Sequence, residues 1–403
     1  MTEVLLPYGA SRVRLQLPDG ATVQRVGPGL SAGSPPPTLE AVVERALASP
    51  HDAPPLEIST RDERAATIAV SAGMPTSWAA VVLRDVVARL ARGGMPATSV
   101  RVRIAREPDG APGPASLEAH LRTSFPGIPV HRVGTPQDAE PGPALRVLVG
   151  FARPHPIAGW TGGNDLRTPG FLLEDGARAA LRATLDARVG PDGTPRSLRG
   201  STSGLGFRAH SEGSDKAPTT ELSIVLGSDA AGAPVAAAGV LRTAHDAVVR
   251  AIAPGRAHAV PSPADVVVLG GGAPFDRDVP AASQALDLAL ALARPGTIVV
   301  WLAEAAEGPG PPAFLQWFEA GRLERHLAAL RRDFQPEGLV AYAIRATAAR
   351  VPIYVVSREG VDLLRPMGLT PFADVQTAFD RAWGGRASGR VVVVEAPCDV
   401  CLG

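Results

Sequence analysis

The groups in this chain best placed to do chemistry lie in one short stretch. It runs from His155 through Thr161-Gly162-Gly163-Asn164-Asp165 to Pro169-Gly170. An imidazole titrates near neutrality and can serve as base, acid or metal ligand. Paired glycines let a backbone approach a ligand closely or take positive φ. His155 stands between Pro154 and Pro156, so it is presented on a stiff loop and not on an apolar helix face. Two readings stay open for it, a functional imidazole and a structural hydrogen bond. Asp165, beside Asn164 and near Arg167, is either a new polar site or the closure of an Asx-type turn.

Two other strand-to-loop junctions carry small residues, Ser71-Ala72-Gly73-Met74-Pro75 and Gly270-Gly271-Gly272-Ala273-Pro274-Phe275-Asp276. Gly271, Gly272 and Asp276 are candidate binding residues of the second. Neither junction has the Gly-Lys-Ser/Thr ending of a phosphate loop. Cys398 and Cys401 have the spacing of a redox or metal pair. Two sulfurs do not complete a tetrahedral zinc site, so a dimer would have to pool four thiolates; two incidental thiols are the plainer reading. Gly200-Ser201-Thr202-Ser203-Gly204 follows no strand, which argues against a serine nucleophile elbow.

Apolar runs alternating with helical patterns position these groups in an α/β protein with mostly parallel sheets. Strands are expected at 67–71, 100–104, 145–151, 221–226, 265–269, 297–302 and 351–356. The second of these alternates Val and Ile with Arg, the pattern of a half-buried strand. Helices are expected at 39–48, 76–90 with Thr76-Ser77 as N-cap, 177–187, 241–252, 281–293, 313–332 and 374–383. Segments 30–37, 107–114 and 134–143 read as Pro/Gly-rich surface loops, and 190–214 as a long Gly/Ser connection. The Pro/Ala-rich segment 254–263 places a domain boundary, giving domains 1–256 and 257–403. Ligands of open α/β sheets bind at the carboxyl ends of the strands, so a cleft between the domains is the expected site.

At 403 residues and 45% hydrophobic content the chain can bury a large core, and 40 basic against 40 acidic residues give no field for nucleic acid or an anionic membrane. No apolar run reaches the ~20 residues of a membrane span, and no secretory signal is visible. The protein is expected to be cytoplasmic.

The stretch 155–170 resembles the cofactor loop of the nickel-pincer lactate racemase family, which has a His, an Ala-Gly-aromatic-small-Gly-Gly run and a later Pro-Gly in this order. Leu6-Pro7-Tyr8-Gly9, Ala237-Ala238-Gly239 with Ala244-His245, and Gly271-Gly272-Ala273-Pro274-Phe275-Asp276 resemble further family patterns, so the likeness runs over nearly the whole chain. The resemblance implies interconversion of the two hands of a 2-hydroxy acid by hydride transfer to a nickel-pincer nucleotide. It also implies two histidines as base and acid, an Arg on the substrate carboxylate and a further His on the metal.

Most of those roles lack their residue here. The family follows its Gly-Gly pair with an Arg and the Lys that carries the cofactor; this chain has Asn164 and Asp165, and its single lysine is Lys216. His155 stands at one catalytic histidine. The other falls in Ala105-Arg106-Glu107-Pro108, without an imidazole. The family's Asp-His-Thr-Arg-Pro loop reads Ala72-Gly73-Met74-Pro75, no His lies within 179–188, and the family's Gln and Lys are replaced within Pro280–Gln284.

The expectation is a racemase-like protein that has lost the covalent cofactor, with none retained and no metal bound. It would act as a non-catalytic binder of a small anion or nucleotide held by the Thr161–Gly163 backbone and by His155, more tightly as His155 gains charge toward pH ~6. The alternative is a racemase or epimerase of a 2-hydroxy acid with a non-covalent or different cofactor. What separates the two is whether His210, His245 or Asp276 folds near His155. No nucleic-acid or membrane partner is expected, and homo-oligomerisation stays open.

Overall fold

The computed structural model describes residues 2–27, 36–107, 113–133, 145–166, 220–319 and 321–402, with positions 182, 185, 189–190, 193–196 and 199. The chain forms two compact units. A terminal unit holds residues 1–28, 185–198 and 256–403, and an inserted unit holds 29–184 and 199–255. The chain passes between the units at 255–256. The leading residues, however, lie with the C-terminal part and not in a first domain. After β1 (Thr2–Tyr8) and β2 (Ser11–Leu17) form an antiparallel hairpin, β3 (Ala21–Val26) pairs in parallel with a strand more than 360 residues later, Gly389 opposite Ala21. Pairing at such separation follows no local pattern in the sequence.

The inserted unit contains β4 (Ala66–Val70), β5 (Val100–Ile104), β6 (Val130–Arg132), β7 (Leu145–Phe151), the two-residue strands β8 (Pro154–His155) and β9 (Gly159–Trp160), β10 (Glu221–Ser228) and β11 (Pro234–Gly239). Its main sheet has the order β11-β10-β7-β4-β5-β6, parallel except for β11. β4 is buried at every residue, as expected of a central parallel strand covered on both faces. β5 departs from half-burial because Arg103 is buried as well. Helices α1 (Leu39–Ala48), α2 (Thr76–Arg92), α3 (Ala115–Ser124) and α4 (Leu241–Arg256) flank the unit. Leu83, Val86 and Leu90 of α2 pack with Ile68, Val102 and Val147 of the sheet. The Thr38 hydroxyl caps α1 by accepting from the Ala41 amide at 3.3 Å. The expected cap of α2 fails: Pro75 holds that place, and Thr76 is already helical.

The terminal unit adds β12 (Ala257–His258), β13 (Val266–Leu269), β14 (Ile298–Leu302), β15 (Ile353–Val356), β16 (Thr370–Phe372), β17 (Gly389–Val394) and β18 (Cys401–Leu402). Its sheet is parallel throughout, in the order β16-β15-β14-β13-β17-β3. The expected helix 313–332 breaks into Pro312–Leu315, a 3-10 turn at Gln316–Glu319 and α5 (Leu323–Arg332), with Gly321 at φ +66° between them. The expected helix 281–293 likewise alternates α and 3-10 turns. α6 (Pro336–Ala348) has no counterpart among the expected helices. α7 (Val375–Trp383) is capped by Asp374, whose carboxylate accepts from the Thr377 amide at 2.8 Å, and ends at Gly384 with φ +62°. The expected helix 177–187, His210 and Lys216 lie outside the described residues. No helix among those described is long and apolar enough to cross a membrane.

Candidate functional site

The inserted unit gathers its polar groups at the carboxyl ends of three adjacent strands, β5, β4 and β7. Open parallel sheets place ligands there because the following loops diverge from the strand ends. From β7 the chain continues through Ala152 and Arg153 into the small β8–β9 hairpin, with Pro154 opposite Trp160 and His155 opposite Gly159. His155 is fully buried. Its Nδ1 accepts from the amides of Ile157 at 3.1 Å and Ala158 at 3.2 Å. Backbone amides only donate, so the proton of the neutral ring sits on Nε2. A second proton on Nδ1 would displace both amides.

Thr161 fastens the hairpin to the sheet. Its hydroxyl donates to the Phe151 carbonyl at 2.6 Å, and its amide donates to the Arg153 carbonyl at 2.9 Å. Asp165 then folds back over the glycines. Its Oδ1 accepts from the Gly163 amide at 2.7 Å and its Oδ2 from the Gly162 amide at 3.2 Å. Burial pushes the Asp165 carboxyl above its ordinary range, while the Gly163 amide, the charge of His245 and the Gly162 amide pull the other way. The amides of Thr161, Gly162 and Gly163 are therefore all satisfied within the loop. They are not available to an external anion, contrary to the expectation from the glycine run. Nothing is described of the Asn164 side chain.

His245, on α4, closes this arrangement from the other side. Its Nε2 donates to the Thr161 carbonyl at 3.0 Å. A Cβ at position 163 would lie 2.9 Å from the His245 ring, so Gly163 is needed for close approach of this imidazole. Of the three groups that could have joined His155, His245 contacts its loop through the Thr161 carbonyl.

Two residues not singled out from the sequence complete the cluster. Arg153 and Glu107 are both buried, with Nη2 and Oε2 3.8 Å apart. A Cβ on Gly73 would lie 3.1 Å from the Arg153 Nε, so the guanidinium occupies space left by the glycine after β4. The signal was legible: Arg153 follows a wholly apolar strand exit, where a charge needs a partner.

In the terminal unit the second glycine loop is also tied internally. Asp276 is buried, and its Oδ2 accepts from the Gly9 amide at 2.8 Å and the Glu304 amide at 3.5 Å. The Gly271 amide donates to the Pro7 carbonyl at 2.9 Å, and a Cβ on Gly272 would meet Pro7 at 2.9 Å. Gly271, Gly272 and Asp276 line a cavity of about 160 Å³. Cys398 and Cys401 are thiols, not joined in a disulfide. Among the described residues no three His, Cys, Asp or Glu side chains are placed to hold a metal ion.

No described protein family and no curated protein matches the sequence. Solved structures do. The chain superposes on the lactate racemase apoprotein from Thermoanaerobacterium thermosaccharolyticum with a TM-score of 0.77 at 19% identity, over the full length of both chains. It superposes on a structural-genomics crystal structure of a protein from Thermotoga maritima with a TM-score of 0.64 at 11% identity, covering 91% of this chain and 99% of the other. The two-unit, mostly parallel α/β architecture is thus a lactate-racemase-like fold.

Proposed function

We propose that this chain is a lactate-racemase-like protein without the covalent nickel-pincer nucleotide, acting as a non-catalytic binder of a small anion. The observation that carries the reading is Asp165. It stands at the position of the family's anchoring lysine, and its carboxylate already fills the amide pair of Gly162 and Gly163. A carboxylate in place of an amine cannot form the family's attachment, and a nucleotide phosphate would meet negative charge where it needs donors. The residues present therefore do not fit the cofactor. Intact-mass measurement and elemental analysis of protein from its own host should find the unmodified chain and less than stoichiometric nickel. A nucleotide adduct, or one nickel per chain, would overturn the reading.

The anion is assigned to Arg153, whose planar fork suits a carboxylate or phosphate. Glu107 already neutralises it at 3.8 Å, so a ligand competes with that carboxylate. Lactate or inorganic phosphate should raise the melting temperature of the parent protein by mass action. The gain should grow in Glu107→Gln, where the ligand replaces the missing charge, and vanish in Arg153→Gln. A gain that ignores both substitutions would exclude Arg153.

A second reading, a racemase or epimerase with another cofactor, is favoured by His245 of α4 contacting the loop that carries His155. Each ring has one nitrogen committed to backbone, which supports a structural use of both. Measurable racemisation of lactate by the protein as isolated would establish this second reading instead.

A further inference from the structure

The cavity in the terminal unit has a chemistry that the racemase-like reading does not use. It lies at the carboxyl ends of β13, β14 and β17 and is walled by apolar groups, among them Pro7, Phe275 and Leu302. Three polar side chains reach its lining: Asp276, Cys398 and Asp399. Among the described residues no Lys, Arg or His lines it.

The two carboxylates differ in their compensation. Asp399 has a cation beside it, the Arg256 guanidinium at 3.6 Å. Glu304, next to Asp276, is likewise paired, with Arg358 at 2.5 Å. Asp276 is 2% exposed, and the donors it meets are the neutral amides of Gly9 and Glu304, both on Oδ2. Among the described residues its Oδ1 has no hydrogen-bond partner and no cation pairs with it. A buried carboxylate with a lone-pair face unfilled is costly unless something completes it. The cavity supplies the room. At about 160 Å³ it is the size of an engineered apolar cavity that accepts benzene, so it suits a ligand of about six non-hydrogen atoms.

We propose that this cavity is a binding site for a small primary ammonium compound with a short apolar body, its ammonium group paired with Asp276. The ammonium donates to Oδ1, and the hydrocarbon lies against Phe275, Leu302 and Pro7. An anionic ligand of equal size is disfavoured by Asp276, and a divalent cation by the apolar walls, which leave too few oxygens to replace its hydration shell.

The probe is n-pentylamine, with 1-pentanol and pentanoate as equal-length controls, titrated against the full-length protein at neutral pH. Binding is read by calorimetry and by shifts of amide signals from residues 270–276. The amine should bind, the alcohol should bind at least about tenfold more weakly, and pentanoate should give no shift. Asp276→Asn keeps a carbonyl oxygen for the Gly9 amide and removes the charge, so its preference for amine over alcohol should fall to within about threefold. Ala285→Leu fills the cavity from its wall and should abolish binding of both while the chain stays folded. Equal affinity for amine and alcohol in the parent would overturn the proposal. So would an unchanged preference in Asp276→Asn, binding that persists in Ala285→Leu, or a folded parent that binds none of the three. Each result leaves the reading of Asp165 and Arg153 untouched, because those residues belong to the other unit.

Discussion

Asp165→Lys, the change that restores the lysine expected from the family resemblance, should destabilise the protein by about 2–6 kcal/mol and return no lactate racemisation. The estimate comes from the two buried amides that lose their acceptor, each worth about 1–3 kcal/mol when left unsatisfied. An ammonium at 165 would add a third donor facing the Gly162 and Gly163 N–H groups, close to His245. Asp165→Asn should cost less, since its one carbonyl oxygen still satisfies one amide, and Asp165→Ala should fall between. Denaturant unfolding of the three variants measures the order. A lysine variant as stable as the parent would show that the loop amides find another acceptor and that the loop accommodates the family's lysine. The carboxyl of Asp165 also has a sign in pH. Its folded value is raised by burial, so the stability it lends is complete below the unfolded carboxylate range and is lost as pH rises through the folded value.

Acidification from pH 7 to pH 4 should remove about 3 kcal/mol of stability through His326 alone. This imidazole is fully buried in α5, stacked on Trp317 with ring centroids 4.7 Å apart. Its Nε2 donates to the Gly338 carbonyl at 2.9 Å, and its Nδ1 accepts from Arg345 at 3.4 Å. A proton on Nδ1 would face that guanidinium. Burial first, and the Arg345 charge after it, lower the His326 value to about 4. The unfolded chain takes up its proton near 6.5 and the folded chain only near 4, so stability falls as pH drops through this window. The interval of about 2.5 units corresponds to the ~3 kcal/mol. His326→Gln can keep a donor for Gly338 and does not titrate. It should be less stable at pH 7 by about 1–2 kcal/mol, the worth of imperfectly replaced packing and hydrogen bonds, with a flatter profile between pH 6.5 and 4. Urea midpoints at pH 7, 5.5 and 4 decide it; parallel profiles for parent and variant would refute the assignment.

What the sequence determined by itself was local. Runs apolar at nearly every position, such as Leu145–Phe151, or at all of them, as in Val266–Leu269, specify buried parallel strands because both faces must be covered, and they were legible as such. Helices with a clear periodic face and cap, at Leu39–Ala48 and Val375–Trp383, were legible for the same reason. The irregular helical stretches were not: Gly321 and a series of 3-10 turns interrupt patterns that read as continuous. The candidate loop itself was visible through His155, the glycine pair and Asp165. Tertiary structure set the direction of the Asp165 carboxylate, which reaches back to the upstream amides of Gly162 and Gly163 and not to one two residues on as in an Asx turn, because it depends on burial and on His245, which arrives from a helix 80 residues away in sequence. The same holds for Glu107 beside Arg153, joined from the ends of different strands, and for β3, completed by β17 at the far end of the chain. Such pairings are set by which strands become neighbours, a property of the packed sheet that no window of the sequence contains.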